Sequence, residues 1–198
     1  MVYKIIAFII LLTFYSCYVV KMLKQRKDGI QTDQLGKGKT GFPKLIEILL
    51  KISSYLIVAV EINSIITYSG NMPTSIRIAG VVISILGTVS FIKAVVDMKS
   101  NWRAGVSEED KTNLVTNGIY EWSRNPAFLG FDLTYIGILL SFFNLLLLLV
   151  SVITIVIFHL QIVNVEEDYL IARFGKDYVD YKKSVNRYFG KKINHSKN

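Results

Sequence analysis

Two short segments of this 198-residue chain hold side chains able to do chemistry. The first is Leu114-Val115-Thr116-Asn117-Gly118-Ile119-Tyr120-Glu121-Trp122-Ser123-Arg124-Asn125-Pro126. Asn117-Gly118 favours a tight turn with positive φ, which aims backbone N–H and C=O groups at a ligand. Arg124 stands at the edge of an apolar block, where a desolvated cation needs an anion. Asn125-Pro126 reads as a helix start, N-cap Asn followed by Pro at the first position, and a helix N-terminus at a membrane surface holds a carboxylate. Ordinary capping, with Arg124 and Trp122 snorkelling to the interface, accounts for the same residues without a ligand. The second segment is Glu166-Glu167-Asp168, three acids in a chain of net charge +8. Read as part of one continuous helix, His159 and Glu166 lie seven apart on one face and Glu167 points elsewhere. The acids attract either a cationic ligand or Arg124 or Arg173 as a structural salt bridge. Together the two segments suit a zwitterionic, nucleoside-bearing ligand with a positive centre, such as S-adenosylmethionine, without singling it out.

The elements that must position these groups are apolar and long. Hydrophobic residues make up 52% of the chain, in blocks long enough to cross a bilayer, which takes about 20 residues per helix. The blocks run from about Tyr3 to Val20, Leu45 to Tyr68, Ile76 to Met98, and Ala127 to Ile162. The last would extend roughly 54 Å as one helix, nearly twice the hydrocarbon thickness, so Asn144 is expected to reverse it into two antiparallel helices. Lys51, Glu61 and Asn63 interrupt the second block, so one of its faces is expected to look into protein. Gly80 and Gly87, seven apart in the third, are read as a close helix contact.

Residues 21–44 carry seven Lys and Arg against two Asp, whereas the turns at 69–75 and around Asn144 carry no charge. Charged and uncharged connectors alternate, as five spans require, with the N-terminus outside and the C-terminus cytoplasmic at the plasma (inner) membrane. The expected fold class is therefore all-α, a polytopic membrane protein of about five transmembrane helices. Its two parts are three N-terminal spans with a basic connector (1–98) and a half carrying the chemistry (99–198). After Glu166, the residues Leu170, Phe174, Tyr178, Tyr181, Val185 and Tyr188 recur at helical spacing, and Gly175 is expected to split that helix. The stripe fits a helix lying on the membrane or a lid over a site.

Other motifs carry less. Gly36-Lys37-Gly38-Lys39-Thr40 resembles a phosphate-binding loop, but Asp33 stands where its first glycine belongs, so a flexible basic connector is expected. His159 and His195 have no metal-ligand spacing, and the single cysteine, Cys17, excludes a disulfide framework or CxxC site. The basic charge is read as topology and attraction to anionic lipid, with no module for nucleic acid.

The run LVTNGIYEWSRNPAF, a helical hairpin and then EEDYLIARFGKDYVDYKKSV resembles the isoprenylcysteine carboxyl methyltransferase and phospholipid methyltransferase group of membrane enzymes, over roughly residues 100 to 188. The resemblance implies S-adenosylmethionine as methyl donor, bound on the cytosolic side. It places Thr112, Asn113, Leu114, Val115 and Tyr120 along the nucleoside, with Arg124, Asn125, Pro126, Ala127 and Phe128 closing around the cofactor. Glu166, first of the acidic pair, also contacts it. Asn125 replaces the histidine of the eukaryotic enzymes, as in the bacterial branch. Ile162 stands where those enzymes carry an arginine used toward prenylcysteine, so the resemblance carries the cofactor but not that substrate.

The expected activity is methyl transfer to a lipid or lipid-linked acceptor, with no residue assigned to acid–base catalysis and no metal. A membrane reductase using a nicotinamide cofactor would want clustered cations rather than three acids. A non-catalytic membrane protein or transporter would centre its polar groups near mid-membrane, at Glu61 and Asn63.

Overall fold

The computed structural model describes residues 1–106 and 112–192, and His195 lies outside them. Seven α-helices follow one another: α1 (Val2–Lys27), α2 (Gly41–Thr67), α3 (Thr74–Met98), α4 (Pro126–Ser141), α5 (Leu145–Gln161), α6 (Glu167–Phe174) and α7 (Lys176–Ser184). Single 3-10 turns at Lys99–Asn101 and Gly118–Glu121 and a π-turn at Ile162–Glu166 complete the helical structure of the described residues. Val2–Lys27, Thr74–Asn101 and Leu145–Phe174 are long and apolar enough to cross a membrane, and Pro126–Ser141 is a shorter apolar helix. The 27-residue α2 is as long but carries Lys44, Glu47, Lys51 and Glu61. It turns both glutamates inward: Glu47 and Glu61 are fully buried, and Tyr15 donates to Glu61 at 3.1 Å.

Helices α3 and α4 lie backbone against backbone. A methyl group added at Gly80 or Gly87 would strike the Gly137 or Gly130 carbonyl, and one added at Gly130 or Gly137 would strike Gly87 or Gly80. The seven-residue glycine spacing visible in α3 is thus matched by a second pair in α4, the arrangement that lets apolar helices approach without a hydrophobic driving force. The contact sets the first residues of α4 beside the last turns of α3, where Ser90 donates to the Pro126 carbonyl at 2.9 Å.

The reversal falls at Asn144 as expected. Its side chain accepts from Leu147 N–H at 2.9 Å, capping α5, and donates to Ser64 on α2 at 2.7 Å. The basic connector, by contrast, is tied down rather than flexible. Glu47 accepts from Lys39 at 2.7 Å and from Gly36 N–H at 2.5 Å, Lys51 pairs with Asp33, and Asp33 bridges to Ala104. A buried carboxylate must be paired, and α2 offers its acid where the loop offers a cation.

Gly175 splits the tail into α6 and α7, with φ of 51°. The apolar stripe turns inward: Tyr178, Tyr181 and Val185 are buried against Tyr120 and Ala94. Of the two readings of that stripe, the lid is the one the contacts support.

Candidate functional site

The end of α3 fixes the turn at Asn117-Gly118. Gly118 has φ of +65°, and the space a side chain would occupy there is filled by Asp97. Asp97 accepts from Ile119 N–H at 2.8 Å and pairs with Lys93. Tyr120, next in the 3-10 turn, is buried, and its carbonyl accepts from the Tyr181 hydroxyl at 2.6 Å. One side of the turn thus rests on α3 and the other is held by α7.

Arg124 sits between these elements and is buried. Its guanidinium donates to the Tyr178 hydroxyl at 3.0 Å and meets Glu167 at 3.1 Å, and its Nε has no partner. Burial pushes the Tyr178 hydroxyl up to about 12, against the pull of Arg124, so the phenol stays neutral. Its own hydrogen is then left to donate elsewhere.

Glu167 gathers three cations: Arg124, Lys182 at 2.7 Å and Arg187 at 2.8 Å. Its hydrogen bond raises the Arg187 guanidinium further above its ordinary value. Glu167, rather than Glu166, is therefore the partner of Arg124, and the reason is the π-turn. One extra residue in the turn Ile162–Glu166 shifts the helical register by about 100°. His159 and Glu167, eight apart, consequently face the same strip of chain: His159 lies 2.7 Å from the Tyr188 hydroxyl while Glu167 holds Arg187. Nothing in residue spacing marks a π-turn, so a continuous helix puts Glu166 rather than Glu167 on the face of His159.

Asn125 precedes α4 and Pro126 is its first residue, but the Asn125 side chain does not cap the helix. It donates to the Arg187 carbonyl at 3.1 Å instead. The strip 184–192 folds back onto this corner: Arg124 N–H donates to Asn186 and Gly190 N–H to Trp122.

These contacts enclose a cavity of about 110 Å³. Of the residues expected from the sequence, Thr112, Asn113, Leu114, Val115, Tyr120, Arg124, Asn125 and Glu166 line it, whereas Pro126, Ala127 and Phe128 do not. Once inside α4 those three turn into the bundle, where Phe128 meets Phe158 at 5.3 Å between ring centres. Residues not expected at the site complete the wall, among them Met98, Arg103, Tyr169, Phe174, Tyr178 and Tyr181. For Phe174, Tyr178 and Tyr181 the signal was present in the apolar stripe; Arg103 has none. An open groove of about 680 Å³ adjoins, sharing Leu114 and Tyr181 with the cavity. The lining offers aromatic and aliphatic walls, one buried cation and one carboxylate. Among the described residues no three His, Cys, Asp or Glu gather to hold a metal.

A family model described as phospholipid methyltransferase matches residues 76–177. Curated relatives match part of the chain. The chain is 40% identical over 72 residues to a protein-S-isoprenylcysteine O-methyltransferase of Saccharomyces cerevisiae, covering 36% of this chain and 30% of that protein. It is 34% identical over 108 residues to one of Dictyostelium discoideum, covering 54% and 46%. Against one of Rattus norvegicus it is 33% identical over 114 residues, covering 57% and 40%. The match thus spans less than half the length of each of these relatives.

Proposed function

The chain belongs to the phospholipid methyltransferase family, and from that premise we propose that it is an integral membrane S-adenosylmethionine-dependent methyltransferase acting on a lipid or lipid-linked acceptor. The observation that carries this reading is that Thr112 to Val115, Tyr120, Arg124, Asn125 and Glu166 line one cavity together. The donor set fits the cofactor. The unpartnered Nε of the buried Arg124 would take its carboxylate, since a cation buried without a full set of partners favours an anion. Glu166 would face its positive groups. Leu114, Val115, Tyr120 and Phe174 would flank its base and ribose, with the adjoining groove extending the space the small cavity provides. The relatives' printed activity, O-methylation of an isoprenylcysteine, supports a lipophilic acceptor here.

The bound cofactor supplies an activated methyl group on a sulfonium, and the chain's own work is alignment and exclusion of water. Helix α7 walls the site with Tyr178 and Tyr181, the strip 184–192 bonds Arg124 and Asn125, and Tyr178 holds Arg124 in place. We further read five spans, counting α2 and α4, with the N-terminus outside and the site cytoplasmic. The first three spans (1–98) would embed the half that binds the cofactor (99–198). Isothermal titration of the purified protein with S-adenosylhomocysteine tests the cofactor directly. Saturable binding of one equivalent is expected; no heat of binding from a folded sample would end the reading.

A further inference from the structure

At the end of the bundle opposite the cavity, the starts of α1 and α3 meet the ends of α2 and α4. There Arg77, in the first turn of α3, is ringed by aromatic side chains from the other three elements. Its guanidinium carbon lies 4.2 Å from the ring centre of Tyr3, 5.0 Å from that of Tyr68 and 5.3 Å from that of Phe142. The rings brace one another. Tyr68 and Phe142 meet edge to face at 5.5 Å, and the Tyr68 hydroxyl accepts from Met72 N–H at 2.8 Å. Aromatic rings hold a guanidinium by its flat faces and offer no acceptor to its N–H edge. The Nε of Arg77 is buried without a hydrogen-bond partner, and among the described residues no acid pairs with this side chain. Arg77 is half-buried, so the remainder of its fork is open to a ligand.

The chain supplies no anion at this end. Asp and Glu are absent from residues 1–27, 62–96 and 133–165, and Glu61, deeper in α2, is buried and taken by Tyr15. Lys4, the other cation here, donates to the Ile66 carbonyl at 2.7 Å. Val2–Lys27 and Thr74–Asn101 are long and apolar enough to cross a membrane. Tyr3 and Arg77 therefore stand at headgroup depth, where the abundant anion is the lipid phosphate. We propose that Arg77, caged by Tyr3, Tyr68 and Phe142, binds the phosphate of an anionic phospholipid in the leaflet opposite the cavity. The open N–H edge suits paired phosphate oxygens. A headgroup without its own cation is preferred, because a zwitterionic one would bring an ammonium beside Arg77 and Lys4. This site does not depend on the methyltransferase reading.

The test uses the full chain in nanodiscs of phosphatidylcholine with a trace of phosphatidylglycerol bearing a headgroup diazirine. After illumination, lipid adducts are mapped by peptide mass spectrometry. The wild-type protein is expected to carry adducts within residues 66–77 and in the first turn of α1. Arg77→Gln is expected to reduce them about tenfold, as when a charge-assisted contact is removed. Adducts on the basic connector, residues 21–44 at the cavity end, are expected to be equal in both proteins and serve as the internal reference. Unlabelled phosphatidylglycerol should compete for the Arg77 end, and soluble glycerol phosphate should not. Arg77→Lys, which keeps the charge but neither the fork nor the flat face, is expected to lose most of these adducts and serves if Arg77→Gln does not fold. Absence of adducts at this end of the wild-type protein, adducts that survive both substitutions, or competition by glycerol phosphate as strong as by the lipid overturns the site.

Discussion

Adjacent glutamates have opposite surroundings. Glu167 is buried under three cations, whereas Glu166 lines the cavity. Glu167→Gln leaves Arg124 buried without its anion. Removing one partner of a buried pair costs about 3–5 kcal/mol, with the low end expected here because Lys182 and Arg187 are partly solvated. Its melting temperature in a thermal-shift assay should fall by several degrees. Glu166→Gln should melt with the wild-type protein yet bind S-adenosylhomocysteine more weakly, by roughly tenfold. Arg124→Lys keeps the charge but not the fork that reaches Tyr178 and Glu167 together. Calorimetry should show its affinity for S-adenosylhomocysteine reduced by at least about tenfold, and an unchanged Kd would remove Arg124 from the site. The types of these residues were legible in the sequence because an arginine and paired acids at the ends of apolar blocks are anomalous. Which acid met the arginine was not, because the answer depends on one extra residue in a helical turn.

That extra residue makes the π-turn a sharp target at the scale of elements. Inserting one alanine after Asn164 adds a residue to a turn that already holds an extra one and would rotate Glu167 away from Arg187 and Arg124 by about 100°. The lengthened protein should insert and fold its bundle but lose S-adenosylhomocysteine binding; an insertion variant that binds normally would show the turn to be incidental. Gly130→Leu acts elsewhere. Its side chain would meet the Gly87 carbonyl and Phe91, and overpacking of this kind costs about 1–3 kcal/mol or more. Because the α3–α4 contact sets Asp97 beside Ile119, the melting temperature and the affinity should fall together. Apolar blocks, the Asn144 reversal and the Gly175 break were readable because each rests on local chemistry. The tethered connector was not: Glu47 lies eight residues beyond Lys39 in the chain, and only folding reveals that α2 points this acid back at the loop.

At the scale of the molecule, α7 lines the cavity with Tyr178 and Tyr181 at the ends of α3, α4 and α6, and the cation-rich strip that follows it holds Arg124 and Asn125. Alternating charge in the connectors then predicts on which side of the membrane that site opens. A reporter fused after Asn198 should be active only in its cytoplasmic form, and external activity would invert the topology.

Whether the closed site performs methyl transfer is tested most directly by reconstituting the purified protein in liposomes of native lipid extract. S-Adenosylmethionine labelled in its methyl group is added from outside, and label is counted in the organic-extractable fraction. Label should accumulate in lipid with time for the wild-type protein and at a strongly reduced rate for Arg124→Lys. A wild-type preparation that binds S-adenosylhomocysteine yet leaves the lipid unlabelled would contradict the assignment of a lipid acceptor.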